Sequence, residues 1–318
     1  MNRIENWQAP FRLFWVFTFA KRTEMNEKSI LRREGNFKGQ EGFELFYQSW
    51  SQASENNAPL PTLVLTHGMA EHSECYSQTA THFAKLGWNV CAWDLRGHGR
   101  SEGKRGFVAD FSDYVLDLGA FLRHLKNTGR LSERFAFIGH SMGGLITLRY
   151  LADCSLGLAP AASPVPLVLT LSSPQLGIAL QVPAIKDMAA RIFNRVMPSL
   201  TLNNEIKYED LTHDEEFLKT YPGDALRHDK ISPAVYLGML EHIDFVMKNA
   251  GAIQLPTLIQ AAGNDKIVSL PATKEFFSRL GSANKQMIVY EESYHEIFND
   301  LDRERVFSDL QKFLVSTF

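Results

Sequence analysis

From Pro61 onward the chain alternates short apolar runs with helix-forming segments, the signature of parallel strands joined by crossover helices. The runs TLVLTHG (62–68), WNVCAWD (88–94), FAFIGHS (135–141), PLVLTLS (166–172), PTLIQAAG (256–263) and KQMIVYE (285–291) each close on polar or glycine residues. None alternates cleanly between apolar and polar positions, as expected of strands covered on both faces. Between them, Phe111, Tyr114, Val115, Leu118, Phe121, Leu122 and Leu125 recur at steps of three and four and predict an amphipathic helix over 110–126. Val306, Phe307, Leu310, Phe313 and Leu314 mark a second helix that closes the chain, and FELFYQSW (43–50) reads as an antiparallel edge strand. The predicted fold class is α/β: a mostly parallel sheet with helices on both faces.

After the strand at 166–172 more than eighty residues pass before the next one, where a strand-to-helix loop normally takes about two to six. An insertion over 175–232 is therefore expected. Within it Ile185, Met188, Ala189, Ile192, Phe193 and Val196 form a helical stripe between Pro183 and Pro198. Such a stripe must be buried against the mouth of the sheet or against a lipid surface. The chain thus divides into an N-terminal extension (1–41), a core (42–174 and 233–318) and an inserted lid (175–232).

Gly139-His140-Ser141-Met142-Gly143 is a G-x-S-x-G placed directly between an apolar strand and a helix-forming run. A serine on so sharp a strand-to-helix turn needs glycine two residues before and after it, because a Cβ would strike the turn, and the helix N–H groups then face the attacked atom. A serine hydroxyl is a weak nucleophile and needs a base oriented by an acid. The partners should follow in the order acid, then His, each beyond a later strand. Asp265 in AGNDK and His295 in ESYHE occupy those places. Asp300 and Asp302 come after His295, the wrong order for the acid, and read as solvated charges. The backbone N–H groups of Met69, in the turn ending the first parallel strand, and of Met142 are the candidate oxyanion donors. Arg96-Gly97-His98-Gly99 lacks the helix start of a phosphate loop and reads as a tight structural turn.

Composition narrows the function classes. The 33 Lys+Arg against 36 Asp+Glu leave a formal charge of -3 and no basic run, which argues against a nucleic-acid binder. Cys75, Cys91 and Cys154 are widely spaced and form no CxxC pair, so neither a disulfide framework nor a metal site is expected, and a cytoplasmic setting fits. The apolar segment 11–20, interrupted by Arg12, is too short to span a hydrocarbon layer about 30 Å thick. It is a candidate for packing against the body of the protein or for peripheral membrane contact.

HGMAEHSECY (67–76), DLRGHGRSEGKRGFVADFSDYVLDL (94–118) and GHSMGG (139–144), with GNDKIV and SYHE downstream, resemble the monoacylglycerol lipase and lysophospholipase group of α/β-hydrolases over roughly 42–315. The resemblance implies Ser141 as nucleophile, Asp265 as acid, His295 as base and the backbone of Met69 and Met142 as oxyanion hole. It also implies no cofactor. In one place the chain departs from the family pattern E-H-S-x-R-Y: Cys75 stands where the family has Arg. Glu71 is retained as a candidate headgroup contact, and Ile192 and Phe193 of the lid as candidate acyl-chain contacts. The expected activity is hydrolysis of a carboxylic ester of a single-chain acyl lipid, a lysophospholipid or a monoacylglycerol. The alternatives are a carboxylesterase or proline-iminopeptidase-like amidase acting on small substrates, and a catalytically silent lipid-binding module.

Overall fold

The computed structural model describes residues 29–52, 60–179 and 183–318. The segment 11–20 lies outside them. In chain order the elements are β1 (Ile30–Lys38), β2 (Glu44–Gln52), β3 (Thr62–Thr66), α1 (Ser77–Lys85), β4 (Asn89–Trp93), α2 (Ser112–Asn127), β5 (Phe135–His140), α3 (Met142–Ser155) and β6 (Val168–Ser172). There follow α4 (Ala184–Val196), β7 (Leu202–Asn203), α5 (Glu215–Thr220), β8 (Lys230–Ile231), α6 (Pro233–Lys248), β9 (Thr257–Ala262), α7 (Leu270–Arg279), β10 (Lys285–Tyr290) and α8 (Arg303–Thr317). Eight strands form one sheet in the order β1-β2-β4-β3-β5-β6-β9-β10, with β7 and β8 paired separately. From β4 to β10 the pairing is parallel; β2 joins β4, and β1 joins β2, antiparallel.

Successive strand residues point to opposite faces, and the two hydrophobic clusters that flank the sheet divide along that period, a third and smaller one forming around Leu211, Tyr221, Ile267 and Val268. Val64, Cys91, Trp93, Phe137 and Leu169 face one side and pack with residues of α2, α3, α6 and α7. Leu63, Leu65, Val90, Ala92 and Ile138 face the other and pack with α1 and α8. Both faces of the central strands are largely apolar for this reason, with Thr66, Thr170 and Gln260 among the buried polar exceptions, and each large aliphatic side chain buried there contributes about 1.5–3 kcal/mol.

Residues 30–38 correct the reading of 1–41 as an extension, because they form the outermost strand, paired with β2 from Ile30↔Gln52 to Lys38↔Glu44. The sequence ILRREGNFK gave no apolar signal, and an edge strand needs little: Phe37 alone of the nine is buried. The Arg96–Gly99 turn is structural as read, with Gly97 and Gly99 at φ +71° and +50°. Arg96 fixes it through two hydrogen bonds to the fully buried Asp117, at 2.6 and 2.8 Å.

Candidate active site

The tips of β5, β9 and β10 bring three of the sequence-predicted residues together. Ser141 sits between β5 and α3 with φ +49° and ψ −120°, a backbone conformation that costs a non-glycine residue on the order of 1–3 kcal/mol. The turn is held by Ser141 N–H donating to the Ser172 carbonyl at 3.0 Å and by the Ser141 carbonyl accepting from Gly144 and Gln175, both at 2.9 Å. A Cβ on Gly143 would collide with the Thr66 and His67 carbonyls, and one on Gly139 with Thr147 Oγ1 and Gly144 Cα, which is why both positions are glycine.

Ser141 Oγ lies 2.9 Å from His295 Nε2, and His295 Nδ1 lies 2.8 Å from Asp265 Oδ2. The other Asp265 oxygen accepts the backbone N–H groups of Ile267 and Val268 at 2.8 and 2.9 Å, which fixes the carboxylate plane. All three side chains are buried. Burial opposes charge on His295, yet the Asp265 carboxylate, its hydrogen bond and the carboxylates of Glu296 and Glu71 outweigh burial and hold the imidazole above its ordinary pKa. Burial likewise opposes charge on Asp265; the His295 ring and the two backbone donors outweigh it and keep the carboxyl below the usual range. His140, whose ring centroid is 4.8 Å from that of His295, is pulled down to about 3 by burial and then by His295, so it stays neutral.

A cavity of about 780 Å³ opens on Ser141 and His295, and Met69, Met142 and Glu71 line the same end. The Met142 N–H is the first of α3, and that of Met69 follows β3; among the described residues neither is taken by another protein group. Glu71 Oε1 accepts from Tyr76 Oη at 2.8 Å and from the Gly68 N–H. Its Oε2 is buried without a partner among the described residues. Burial, then the nearby Glu296 charge, push the Glu71 carboxyl up to about 7, against the pull of Arg227.

The lining of the cavity is mixed: Ile178, Leu211, Ile231, Met239 and Ile267 are apolar, while Lys186, Glu205, Lys207, Asp224, Arg227 and Asp229 are charged. Ile192 and Phe193, expected as acyl-chain contacts, are not in its lining. They lie on a largely exposed face of α4 together with Ile185, Met188 and Val196, of which Ile185 is 71% exposed. Pro183 and Lys186, at the start of the helix, are the part of α4 that reaches the cavity. The stripe is therefore not buried against the mouth of the sheet.

Asp300 also corrects its reading as a solvated charge. It is 1% exposed and accepts from Thr212 Oγ1, the His213 N–H and the Tyr294 N–H at 3.1, 2.8 and 2.6 Å. The buried pair of Arg227 Nη1 and Glu296 Oε1, at 3.1 Å, had no counterpart in the sequence reading. Glu296 was visible as the neighbour of His295; Arg227, in a polar stretch of the insertion, carried no periodicity that would single it out.

A mostly parallel sheet with a serine at a strained strand-to-helix turn, hydrogen-bonded to a histidine beyond the last strand, belongs to the α/β-hydrolases. The family model Hydrolase_4, described as serine aminopeptidase, S33, matches residues 57–302, and the chain is a member of that family. It is 29% identical to phospholipase YtpA of Bacillus subtilis (strain 168), over 80% of this chain and 95% of that protein. It is 28% identical to the monoacylglycerol lipase of Mycolicibacterium smegmatis, over 91% of this chain and 99% of the relative. The crystal structure of Paleococcus ferrophilus monoacylglycerol lipase superposes with a TM-score of 0.73 at 25% identity, covering 91% of this chain and all of that one.

Proposed function

We propose that the protein hydrolyses a carboxylic ester of a single-chain acyl lipid through an acyl-enzyme on Ser141. His295 takes the hydroxyl proton as Ser141 Oγ attacks the carbonyl carbon, and Asp265 holds the ring in the tautomer that leaves Nε2 free to accept. The N–H groups of Met69 and Met142 receive the charge that develops on the carbonyl oxygen. His295 then returns the proton to the leaving alcohol; water, deprotonated by the same base, releases the fatty acid.

The observation that carries this reading is the Ser141–His295–Asp265 chain of hydrogen bonds at a cavity whose lining includes an apolar set, Ile178, Leu211, Ile231, Met239 and Ile267. That set would take the acyl chain, and the unpartnered Glu71 Oε2 would accept from a hydroxyl of the headgroup. The insertion 175–232 acts as the lid, and the exposed α4 face, rimmed by Lys186, Arg191 and Arg195, supports peripheral contact with a lipid surface. Among the described residues no helix is long and apolar enough to cross a membrane. A hydrolysis panel of monoacylglycerols, lysophospholipids, short p-nitrophenyl esters and prolyl amides at matched concentrations tests the reading. Turnover highest on the long single-chain esters is expected. Prolyl amides as the best substrates would move the protein to the aminopeptidase chemistry after which its family is described.

A further inference from the structure

The two halves of the insertion are attached to the core in different ways. The second half is bound to the loop that carries His295. Glu296, next to His295 in the chain, receives Arg227 Nη1 on Oε1 at 3.1 Å, and on Oε2 it receives Arg227 Nη2 at 3.3 Å, Tyr221 Oη at 2.7 Å and Asn299 Nδ2 at 2.9 Å. The side chains of Arg227 and Glu296 are each 5% exposed, and the guanidinium lies 4.0 Å from the centroid of the Tyr221 ring. The backbone joins in: Glu296 N–H donates to the Leu211 carbonyl at 2.8 Å. Thr212 Oγ1 donates to the Asn299 carbonyl at 2.9 Å, and Arg303 pairs with Asp214 at 2.5 Å. By contrast, the polar contacts of α4 stay mostly within the insertion, Lys186 with Glu205 and Arg191 with Asp187. Tyr236 Oη reaches Asp187 Oδ1 from α6 at 3.4 Å.

We propose that Arg227 and Tyr221 are positioning residues that hold the His295 loop through Glu296, so that 206–232 is a wall of the active site fixed to that loop and α4 is not part of the clamp. The inference rests on the proposed role of His295 as base. Glu296 has its four donors on two oxygens, the condition under which a buried ion pair is geometrically secure. A displacement of the base by about 1 Å can cost on the order of a hundredfold in rate. The charged and titratable groups facing His295 are the carboxylates of Asp265, Glu296 and Glu71, the imidazole of His140 and the hydroxyl of Ser141. The guanidinium of Arg227 balances the two glutamates.

The test compares Arg227→Met, Glu296→Gln and the milder Tyr221→Phe with the parent in two measurements. In hydrogen exchange of the parent, amides of 211–214 and of the His295 loop should open together, and α4 should open separately and faster. Arg227→Met should speed exchange in both clamped segments by roughly tenfold while leaving α4 unchanged. In hydrolysis of p-nitrophenyl acetate, kcat is expected to fall about tenfold in Arg227→Met and about threefold in Tyr221→Phe, with KM near the parent's. The acid limb of kcat/KM should move up in Arg227→Met, which uncovers carboxylate charge, and down in Glu296→Gln, which removes it. A purely structural role would lower the yield of folded protein without opposite pH shifts. The proposal is overturned by parent-like exchange and pH profile in folded Arg227→Met and Tyr221→Phe, or by 211–214 opening with α4 in the parent. A parent without esterase activity sinks the hydrolase reading instead and leaves the exchange result to decide the clamp.

Discussion

In the proposed mechanism three side chains at the cavity have separate roles, and their variants should separate. Ser141→Ala removes the nucleophile from a turn that alanine can also occupy; the variant should stay folded while turnover drops by several orders of magnitude, as when a catalytic set acts as a unit. Activity assay and circular dichroism together check this. Asp265→Asn keeps the shape but loses the charge that orients and supports His295, so kcat should fall strongly, thermal stability at neutral pH should drop modestly with the lost charge interactions, and the acid limb should move down. For the parent the sign of the pH dependence follows from the raised pKa of His295. The base works only when neutral, so kcat/KM on a non-ionising ester should be lost as pH falls through a value above the ordinary ~6.5 of imidazole. A pH–rate profile with its acid limb below that value would contradict the arrangement of carboxylates around the ring. These three residues were legible in the sequence because each stands at a strand end with a local motif around it. Glu71 could be named but its environment could not, since the Tyr76 and Gly68 partners and the bare Oε2 depend on packing between segments.

At the level of elements, the central strands and the long amphipathic helices could be read because burial on both faces, or along one stripe, dictates composition. The helix expected over 110–126 is Ser112–Asn127, and the stripe between Pro183 and Pro198 is Ala184–Val196. What the sequence could not say is what a stripe packs against. Period alone does not distinguish a face turned to the core from one turned to solvent or lipid, and α4 presents Ile185, Met188, Ile192 and Val196 outward. β1 escaped for the opposite reason, since its sequence is mostly polar. If the α4 face meets a lipid surface, Ile185→Asp or Ile192→Asp should weaken binding to vesicles and lower turnover of vesicle-borne monoacylglycerol by roughly tenfold, consistent with about 1.5–3 kcal/mol per large aliphatic side chain withdrawn from water. Turnover of soluble p-nitrophenyl acetate should stay at the parent level. Vesicle co-sedimentation with and without the substitution measures it, and equal sedimentation would remove α4 from the interface.

For the whole molecule, the sheet places Ser141, His295 and Asp265 on strand ends while the insertion contributes Ile178, Leu211 and Ile231 to the cavity wall, so in the proposed mechanism reactivity and substrate preference are carried by different parts of the chain. Each methylene held against that wall contributes about 0.8 kcal/mol, or roughly fourfold in kcat/KM, until the cavity is filled. From acetate to octanoate esters kcat/KM should therefore rise steeply and then level off; a profile highest at acetate would indicate a small polar pocket and a general esterase. The step on which the proposed activity depends is acyl transfer to Ser141. It is tested most directly by labelling the protein with a fluorophosphonate while following hydrolysis of a long-chain monoacylglycerol, then locating the adduct by peptide mass spectrometry. A single adduct on the peptide containing Ser141 is expected, formed at the same rate as activity disappears. An adduct on another residue, or full labelling of Ser141 with hydrolysis undiminished, would contradict it.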